Sequence, residues 1–238
     1  MAKSLQFDSD ELPQLLLGCA SDPGWSTMAD LGCGEGVILN ALGRRGLLEG
    51  KSVYAVDMTE ERVNRANRTY THIKCLTADV CHTPIESDSI DLLITTQVIE
   101  HVDDDEDLVK EIQRVLAPGG IAYVDTIFKK WYGWYFYRCN GKWTMDPTHV
   151  REYGSDAELL DHFHRHGLKI LANEKSLRRV PLVDSVLRRL GASRDSYNNN
   201  KLLRFLKKFS LPIPGYYIWG LVCKKQSDSP VENSASEN

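Results

Sequence analysis

The sequence predicts an α/β fold, with a doubly wound, mostly parallel sheet covered by helices on both faces. Short apolar, β-branched runs alternate with helical patterns along the first half of the chain, which is typical of parallel strands joined by crossover helices. The 238 residues, 42% of them hydrophobic, are enough for one well-filled domain and few for two. We therefore predict a single domain over residues 1–225 and a disordered polar tail over 226–238.

Each predicted element has its own local signal. The apolar runs predict strands at 27–31, 52–56, 73–77, 90–95 and 121–126. A helix over 36–45 follows the first strand, and a second helix carries the i, i+4, i+7, i+8 stripe of Leu108, Ile112, Val115 and Leu116. The sequence Pro118-Gly119-Gly120 ends that helix. A helix near 156–166 then precedes a strand near 168–172 and a last, antiparallel strand near 216–223.

Two segments interrupt this alternation. Residues 129–149 contain the aromatic run WYGWYFY and are predicted to form a lid over an acceptor pocket, with packing in the core as the alternative. Residues 174–210 are predicted to be a basic helical insertion, because 174–208 holds ten Lys or Arg and three acids, a net charge of +7. This insertion could lie on an anionic membrane, bind an acidic partner or only cover the sheet.

Composition and charge exclude several functional classes. The chain has 29 basic and 33 acidic residues, so it has no global attraction for nucleic acid and DNA is not an expected partner. No run of 18 apolar residues predicts a membrane-spanning helix. The six cysteines show no CxxC spacing. The start places acids before a short apolar run, whereas a secretory signal needs a basic start and a longer apolar core. We expect a cytoplasmic protein, with peripheral membrane contact through 174–208 as a hypothesis.

The residues that carry chemistry stand where predicted strands end. The run Asp30-Leu31-Gly32-Cys33-Gly34 closes the first strand and opens a helix, and glycines there let a ligand approach backbone N–H groups. Asp57 ends the second strand and Asp79 follows the third, at the edge where open α/β sheets bind ligands. These acids can accept hydrogen bonds from ribose hydroxyls and an adenine amino group. A nicotinamide dehydrogenase is the rival interpretation, but its G-x-G-x-x-G spacing is replaced by G-x-G-x-G after an acid.

Together these motifs resemble those of the class I, Rossmann-like S-adenosylmethionine-dependent methyltransferases. The matching segments are Asp30–Gly36, Val56-Asp57, Ala78-Asp79, Ser89–Val102 and Arg114–Gly120. Within that superfamily they look most like the ubiquinone/menaquinone and small-molecule methyltransferases. The resemblance implies that S-adenosylmethionine is the cofactor.

The resemblance also implies roles for individual residues. Asp30, Gly32 and Gly34 would line the methionine end of the cofactor, and Asp57 would bind its ribose. Asp79 with Val80 would hold the adenine, and Gln97 would lie beside the sulfonium. In-line transfer needs the acceptor held close with water excluded, and a base only where the acceptor must lose a proton. His101 and His149 are the candidate bases, and a capping or packing role is the alternative for both.

A metal site is a competing interpretation of the same histidines. Some related ubiquinone O-methyltransferases, and some small-RNA 2′-O-methyltransferases, carry E-x-x-E-H with a later histidine and bind a divalent ion. Here Gln97 replaces the first acid, while Glu100, His101 and His149 remain. Because a neutral ligand weakens binding of hard cations, no metal is predicted. The predicted reaction is O-methylation of a small or lipid-linked acceptor; the alternatives are a catalytically inactive cofactor-binding interaction module and an RNA methyltransferase.

Overall fold

A computed structural model describes residues 12–69, 72–135, 137–139, 142–181 and 210–227. The strands are β1 (Thr27–Leu31), β2 (Ser52–Asp57), β3 (Lys74–Thr77), β4 (Ile90–Thr96), β5 (Leu116–Lys129), β6 (Tyr137–Cys139), β7 (Lys142–Thr144), β8 (Leu168–Pro181) and β9 (Ser210–Lys225). The helices are α1 (Gln14–Ser21), α2 (Val37–Gly43), α3 (Glu60–Thr69), α4 (Asp105–Val115) and α5 (Ala157–Arg165). None of the helices in these ranges is long and apolar enough to cross a bilayer.

Seven strands form one sheet in the order β3-β2-β1-β4-β5-β9-β8, and β6 pairs with β7 in a separate hairpin. The first five strands are parallel, whereas β9 is antiparallel to both β5 and β8. Strand order reverses between β1 and β4, which is the switch point where ligands of such sheets bind. The predicted mostly parallel, doubly wound Rossmann-like fold with an antiparallel last strand is therefore confirmed.

Both faces of the sheet are buried, as the side chains of β1 show by pointing alternately into two different core clusters. Ala29 packs in one cluster with Leu108 of α4 and Phe163 of α5. The next residue back, Met28, points to the other face and packs with Leu39 of α2. Successive side chains of a strand point to opposite faces, so a strand covered on both sides is apolar almost throughout.

The far edge of the sheet differs from the prediction. Strand β8 continues to Pro181, so residues 174–181 of the predicted helical insertion are strand. They are held there because β9 begins at Ser210 and pairs with this stretch up to Pro181. Strand β5 likewise begins at Leu116, so Pro118-Gly119-Gly120 lies inside a strand and not only at a helix end. The helical stripes predicted beyond 181, and residues 228–238 of the predicted tail, lie outside the described residues.

Candidate active site

The loop after β1 owes its shape to glycines at left-handed φ. Gly32, Gly34 and Gly36 have φ of 81°, 56° and 77°. A Cβ added to Gly32 would lie 2.2 Å from Cγ2 of Val98, so this position has no room for a side chain. The N–H groups of Gly32 and Cys33 donate to the carbonyl oxygen of Val56 at 2.8 and 2.9 Å, which ties the loop to the end of β2.

Asp57, at the end of β2, is buried and held by two loops. Its Oδ2 accepts a hydrogen bond from the Gly34 N–H at 3.0 Å, and its Oδ1 accepts one from the Thr59 N–H at 2.8 Å. The guanidinium of Arg62 lies 3.6 Å from Oδ2. Because a carboxylate has about four acceptor sites, Asp57 retains capacity for the predicted ribose hydroxyls while its orientation is fixed by the backbone.

Asp30 is a buried carboxylate without a donor. Its side chain is 1% exposed, and neither oxygen has a hydrogen-bond partner among the described residues. Burial, together with the nearby charge of Asp57, raises the pKa of Asp30 to about 7. An unpaired buried carboxylate is costly unless a cation or donor meets it. Its position two residues before Gly32 fits the ammonium group at the methionine end of S-adenosylmethionine.

Asp79 and Val80 lie together after β3 but in different surroundings. The Asp79 side chain is 66% exposed, and its Oδ1 accepts a hydrogen bond from the Cys81 N–H at 2.9 Å. Val80 is buried in the same core cluster as Ile85. An exposed acceptor beside an apolar wall matches what the predicted adenine contact requires.

Gln97 is fixed by a residue that sequence reasoning missed, Asp125 at the end of β5. The Gln97 backbone has a φ of 55°, and its Nε2 donates to Oδ1 of Asp125 at 2.8 Å. The Tyr123 hydroxyl donates to Oδ2 of Asp125 at 3.1 Å, and burial raises the pKa of Asp125. A left-handed backbone costs a non-glycine residue about 1–2 kcal/mol, so these contacts keep Gln97 in place against that cost.

The structure brings together Glu100, His101 and His149, with one ligand atom of each within 4.8 Å of the others. Glu100 is buried; its Oε2 accepts a hydrogen bond from the Thr126 hydroxyl at 2.8 Å, while its Oε1 has no partner among the described residues. Burial raises the pKa of Glu100 to about 7. Two imidazoles and a carboxylate in this arrangement could hold a cation. The expectation that no metal binds here stays a prediction.

His149 is paired with Glu152, a second residue that sequence reasoning missed. Nδ1 of His149 lies 2.9 Å from Oε1 of Glu152, which also accepts hydrogen bonds from the Met145 N–H and the Thr144 hydroxyl. Burial alone would raise the pKa of Glu152, but these hydrogen bonds, first that of His149, hold it below its usual value. An ionised Glu152 requires a proton on Nδ1 and leaves Nε2 of His149 as an acceptor. The H-x-x-E spacing of 149–152 was the signal available in the sequence.

His101 is the neighbour of His149 rather than a partner of Glu152. The two imidazole rings meet edge to face, with centroids 4.8 Å apart, and Nδ1 of His101 lies 3.2 Å from both Thr148 oxygens. Burial lowers the pKa of His101, and the repulsion that a protonated His149 would exert lowers it further. Both predicted base candidates therefore share one site, and of the two it is His149 that has a carboxylate partner.

Comparison with known proteins agrees with this geometry. Residues 29–124 match the family described as methyltransferase domain, which includes the glycine loop, Asp57, Asp79 and Gln97. These residues form a methyltransferase domain within the chain. The predicted family and the predicted cofactor, S-adenosylmethionine, are therefore confirmed.

The relatives of this methyltransferase domain match it over part of their length. A ubiquinone biosynthesis O-methyltransferase of Caulobacter vibrioides is 29% identical over 109 residues, 42% of this chain and 40% of that protein. A malonyl-[acyl-carrier protein] O-methyltransferase of Marinomonas sp. is 29% identical over 160 residues, 62% of this chain and 54% of that protein. The crystal structure of the [4+2]-cyclase SpnF is 18% identical, covers 92% of this chain and 81% of its own, and has a TM-score of 0.65. That likeness shows the fold alone, since one fold supports different reactions.

The aromatic segment after β5 divides between the two faces of β9. Trp134 packs on Trp143 with ring centroids 5.8 Å apart, and Tyr135 packs on Tyr216, whose hydroxyl is 3.3 Å from Oε2 of Glu152. These rings therefore lie on the same side as the His149–Glu152 pair of the methyltransferase. The predicted role as a lid stays a prediction for them.

The first two aromatic residues of the segment lie elsewhere. The ring centroids of Trp131 and Tyr132 are 5.5 Å apart, and the neighbouring Tyr217 raises the pKa of Tyr132. Tyr217 follows Tyr216 in β9 and packs against the cluster on the opposite face. Trp131 and Tyr132 are therefore on the face away from Tyr216 and Glu152.

Proposed function

We propose that this protein transfers the methyl group of S-adenosylmethionine to an oxygen atom of a small or lipid-linked acceptor. The observation that carries the proposal is the contact of 2.9 Å between His149 and Glu152 at the carboxyl edge of the sheet. A hydroxyl acceptor must lose its proton as the new carbon–oxygen bond forms, so it needs a base. Two of the relatives named above are O-methyltransferases, which supports the same acceptor atom.

The cofactor residues have assigned contacts in this proposal. Asp30 would pair with the ammonium group, Asp57 would accept from the ribose hydroxyls, and Asp79 with Val80 would hold the adenine. The backbone of Gly32 and Gly34 would leave room for the methionine end, with Gln97 beside the sulfonium. Bound S-adenosylmethionine would supply an activated methyl group, with the new carbon–oxygen bond forming in line with the carbon–sulfur bond that breaks and the neutral thioether as the leaving group.

The histidine and its carboxylate manage the proton. Nε2 of His149 takes the proton of the acceptor hydroxyl, while its Nδ1–H remains bonded to Glu152. The ionised carboxylate of Glu152 stabilises the imidazolium that forms, as in other His–carboxylate pairs. His101, whose pKa is lowered, stands edge to face against the His149 ring.

The surroundings of this pair favour a planar or apolar acceptor. Trp134, Trp143, Tyr135 and Tyr216 lie on the side of Glu152, and aromatic rings bind planar and apolar groups by stacking and burial. A quinol-type ring, free or attached to a lipid tail, has both properties. Membrane contact through 174–208 belongs to this proposal, because a lipid-linked acceptor resides in a bilayer.

The test measures methyl transfer from labelled S-adenosylmethionine to a panel of catechols, hydroquinones and lipid-linked quinols. We expect His149→Ala and His149→Gln to lower kcat about 10²- to 10⁴-fold, the usual contribution of a general base, with the cofactor Kd unchanged. His164→Ala, at an exposed position of α5, is the matched control and should keep full activity. Cofactor binding without methylation of any hydroxyl would favour the inactive interaction module, and preferential methylation of RNA would favour the RNA methyltransferase.

A further inference from the structure

We propose that an aromatic and basic patch at the carboxyl edge of the sheet docks on an anionic lipid bilayer. This patch lies on the face of β9 away from the His149–Glu152 pair. It specifies, within the described residues, where the membrane contact of the proposed function is made, and it does not depend on the identity of the methyl acceptor. We call it the docking patch; its residues are Lys130, Trp131, Tyr132, Lys175, Leu177 and Tyr217.

The apolar members of the docking patch form one connected surface. Trp131 is 94% exposed and packs edge to face on Tyr132. Cε2 of Tyr132 lies 3.1 Å from where a Cβ on Gly215 would be, and Gly215 is two residues before Tyr217 on the same face of β9. Tyr217 lies directly opposite Leu177 in the β8–β9 ladder, and Leu177 is 42% exposed. Large apolar side chains that are contiguous and exposed mark an interaction surface rather than ordinary solvent-facing positions.

Two lysines flank these rings. The Nζ atoms of Lys130 and Lys175 lie 5.1 and 4.6 Å from the ring centroid of Phe128, which packs edge to face on Tyr217. Lys175 is also paired with Asp156 at 2.7 Å, so Lys130 contributes the larger share of uncompensated charge. The described part of β8 from Glu174 to Pro181 carries three basic residues and one acid, on a chain whose net charge is −4. The charge complement of this region is therefore an anionic surface.

The side-chain types favour a bilayer over a nucleic acid or a protein. Trp and Tyr concentrate at membrane–water interfaces, where a ring can be apolar at one end and hydrated at the other. Leu177 has no π-face on which a base could stack, but it can enter the acyl boundary. Basic residues beside these side chains would contact lipid phosphates.

The position of the docking patch also relates it to the site. β5 ends at Lys129, so Lys130 and Trp131 stand at the same edge of the sheet as Asp57 and Gln97. Docking through this patch would hold that edge against the lipid headgroups. A lipid-linked acceptor could then reach the site without leaving the bilayer.

The test is co-sedimentation of the full chain with vesicles of phosphatidylcholine alone or mixed with phosphatidylglycerol. We expect binding to the mixed vesicles that fades as salt is added, and about a five- to tenfold loss of partitioning for Trp131→Ala and for Leu177→Ala. Leu171→Ala is the matched control, because Leu171 is 49% exposed on the same strand but roughly 20 Å away along it. Lys130→Glu should weaken binding about tenfold, whereas Lys169→Glu, at the distal end of β8, should not.

A second measurement, fluorescence quenching, locates the docking patch in the bilayer without relying on a variant that binds more weakly. Lipids brominated near the headgroup should quench the tryptophan fluorescence of the wild-type protein, and Trp131→Phe should remove most of that quenching. Absence of sedimentation at low salt, or equal losses for Leu171→Ala and Leu177→Ala, would overturn the proposal. So would patch variants that lose affinity for single-stranded RNA but keep vesicle binding. Because these assays contain no acceptor, their failure is distinct from failure of methyl transfer to a soluble hydroxyl.

Discussion

Replacing Asp30 with Asn should change stability and cofactor affinity in different ways. The carboxylate is buried without a hydrogen-bond partner among the described residues, so in the cofactor-free protein its ionisation opposes folding. In the complex the same charge would meet the ammonium group of the cofactor. Asp30→Asn removes the charge and keeps the shape of the side chain. The variant therefore separates the effect of the charge on stability from its effect on cofactor affinity.

The magnitude follows from the pKa, which burial raises from 3.8 to about 7. Because the folded state holds this proton more tightly, stability falls as the pH rises from the unfolded pKa through the folded one. At about 1.36 kcal/mol per pKa unit, full ionisation costs about 4 kcal/mol, of which roughly 2.5 kcal/mol appears between about pH 5 and about pH 8. Loss of the charge should weaken cofactor binding by about 1–3 kcal/mol, the usual value for a hydrogen bond to a charged group.

The assay is urea unfolding of cofactor-free wild type and variant at the two pH values, with calorimetry for the cofactor. The difference between the pH values cancels any fixed cost of burying the new amide. Asp91→Asn is the control: hydrogen bonds from Ser26 and Thr27 outweigh burial and lower the pKa of Asp91, so its titration lies below this window. Equal pH dependence in wild type and Asp30→Asn, or unchanged cofactor affinity in the variant, would refute the reasoning.

Two further predictions concern the glycine loop and the metal. Gly32→Ala should lower the free energy of unfolding in urea by about 3 kcal/mol or more, because its backbone is left-handed and the new Cβ overlaps Val98. Adding Val98→Ala should recover part of this loss, with a favourable coupling of about 1 kcal/mol or more. Absence of coupling would contradict the contact. Methyl transfer should survive EDTA, because Gln97 offers a neutral amide already bonded to Asp125; loss of turnover restored by magnesium would instead assign Glu100, His101 and His149 as ligands.

Several parts of the fold and site were predictable because their signals are local. β1 was predicted with its observed bounds, and the other parallel strands were located with differences at their ends. A strand buried on both faces is a run of apolar residues between turn signals, so it can be identified without knowing its neighbours. Asp30, Gly32 and Asp57 were predicted as site residues from the same kind of signal, since strand ends and glycine turns are marked by adjacent residues.

The remaining features depend on contacts between distant residues. Asp125 meets Gln97 because parallel pairing sets Thr96 beside Asp125, and Glu100 lies near His149 only once the chain has returned to the carboxyl edge. The aromatic segment reads as one hydrophobic run, yet the alternation of Tyr216 and Tyr217 on β9 sends its members to opposite faces. Sequence determined the strands, the glycine loop and the acids at the strand ends, because propensity and turn chemistry act over a few residues. Tertiary structure decided which side chains meet and which face each occupies, because register and burial depend on the pairing of strands far apart in the chain.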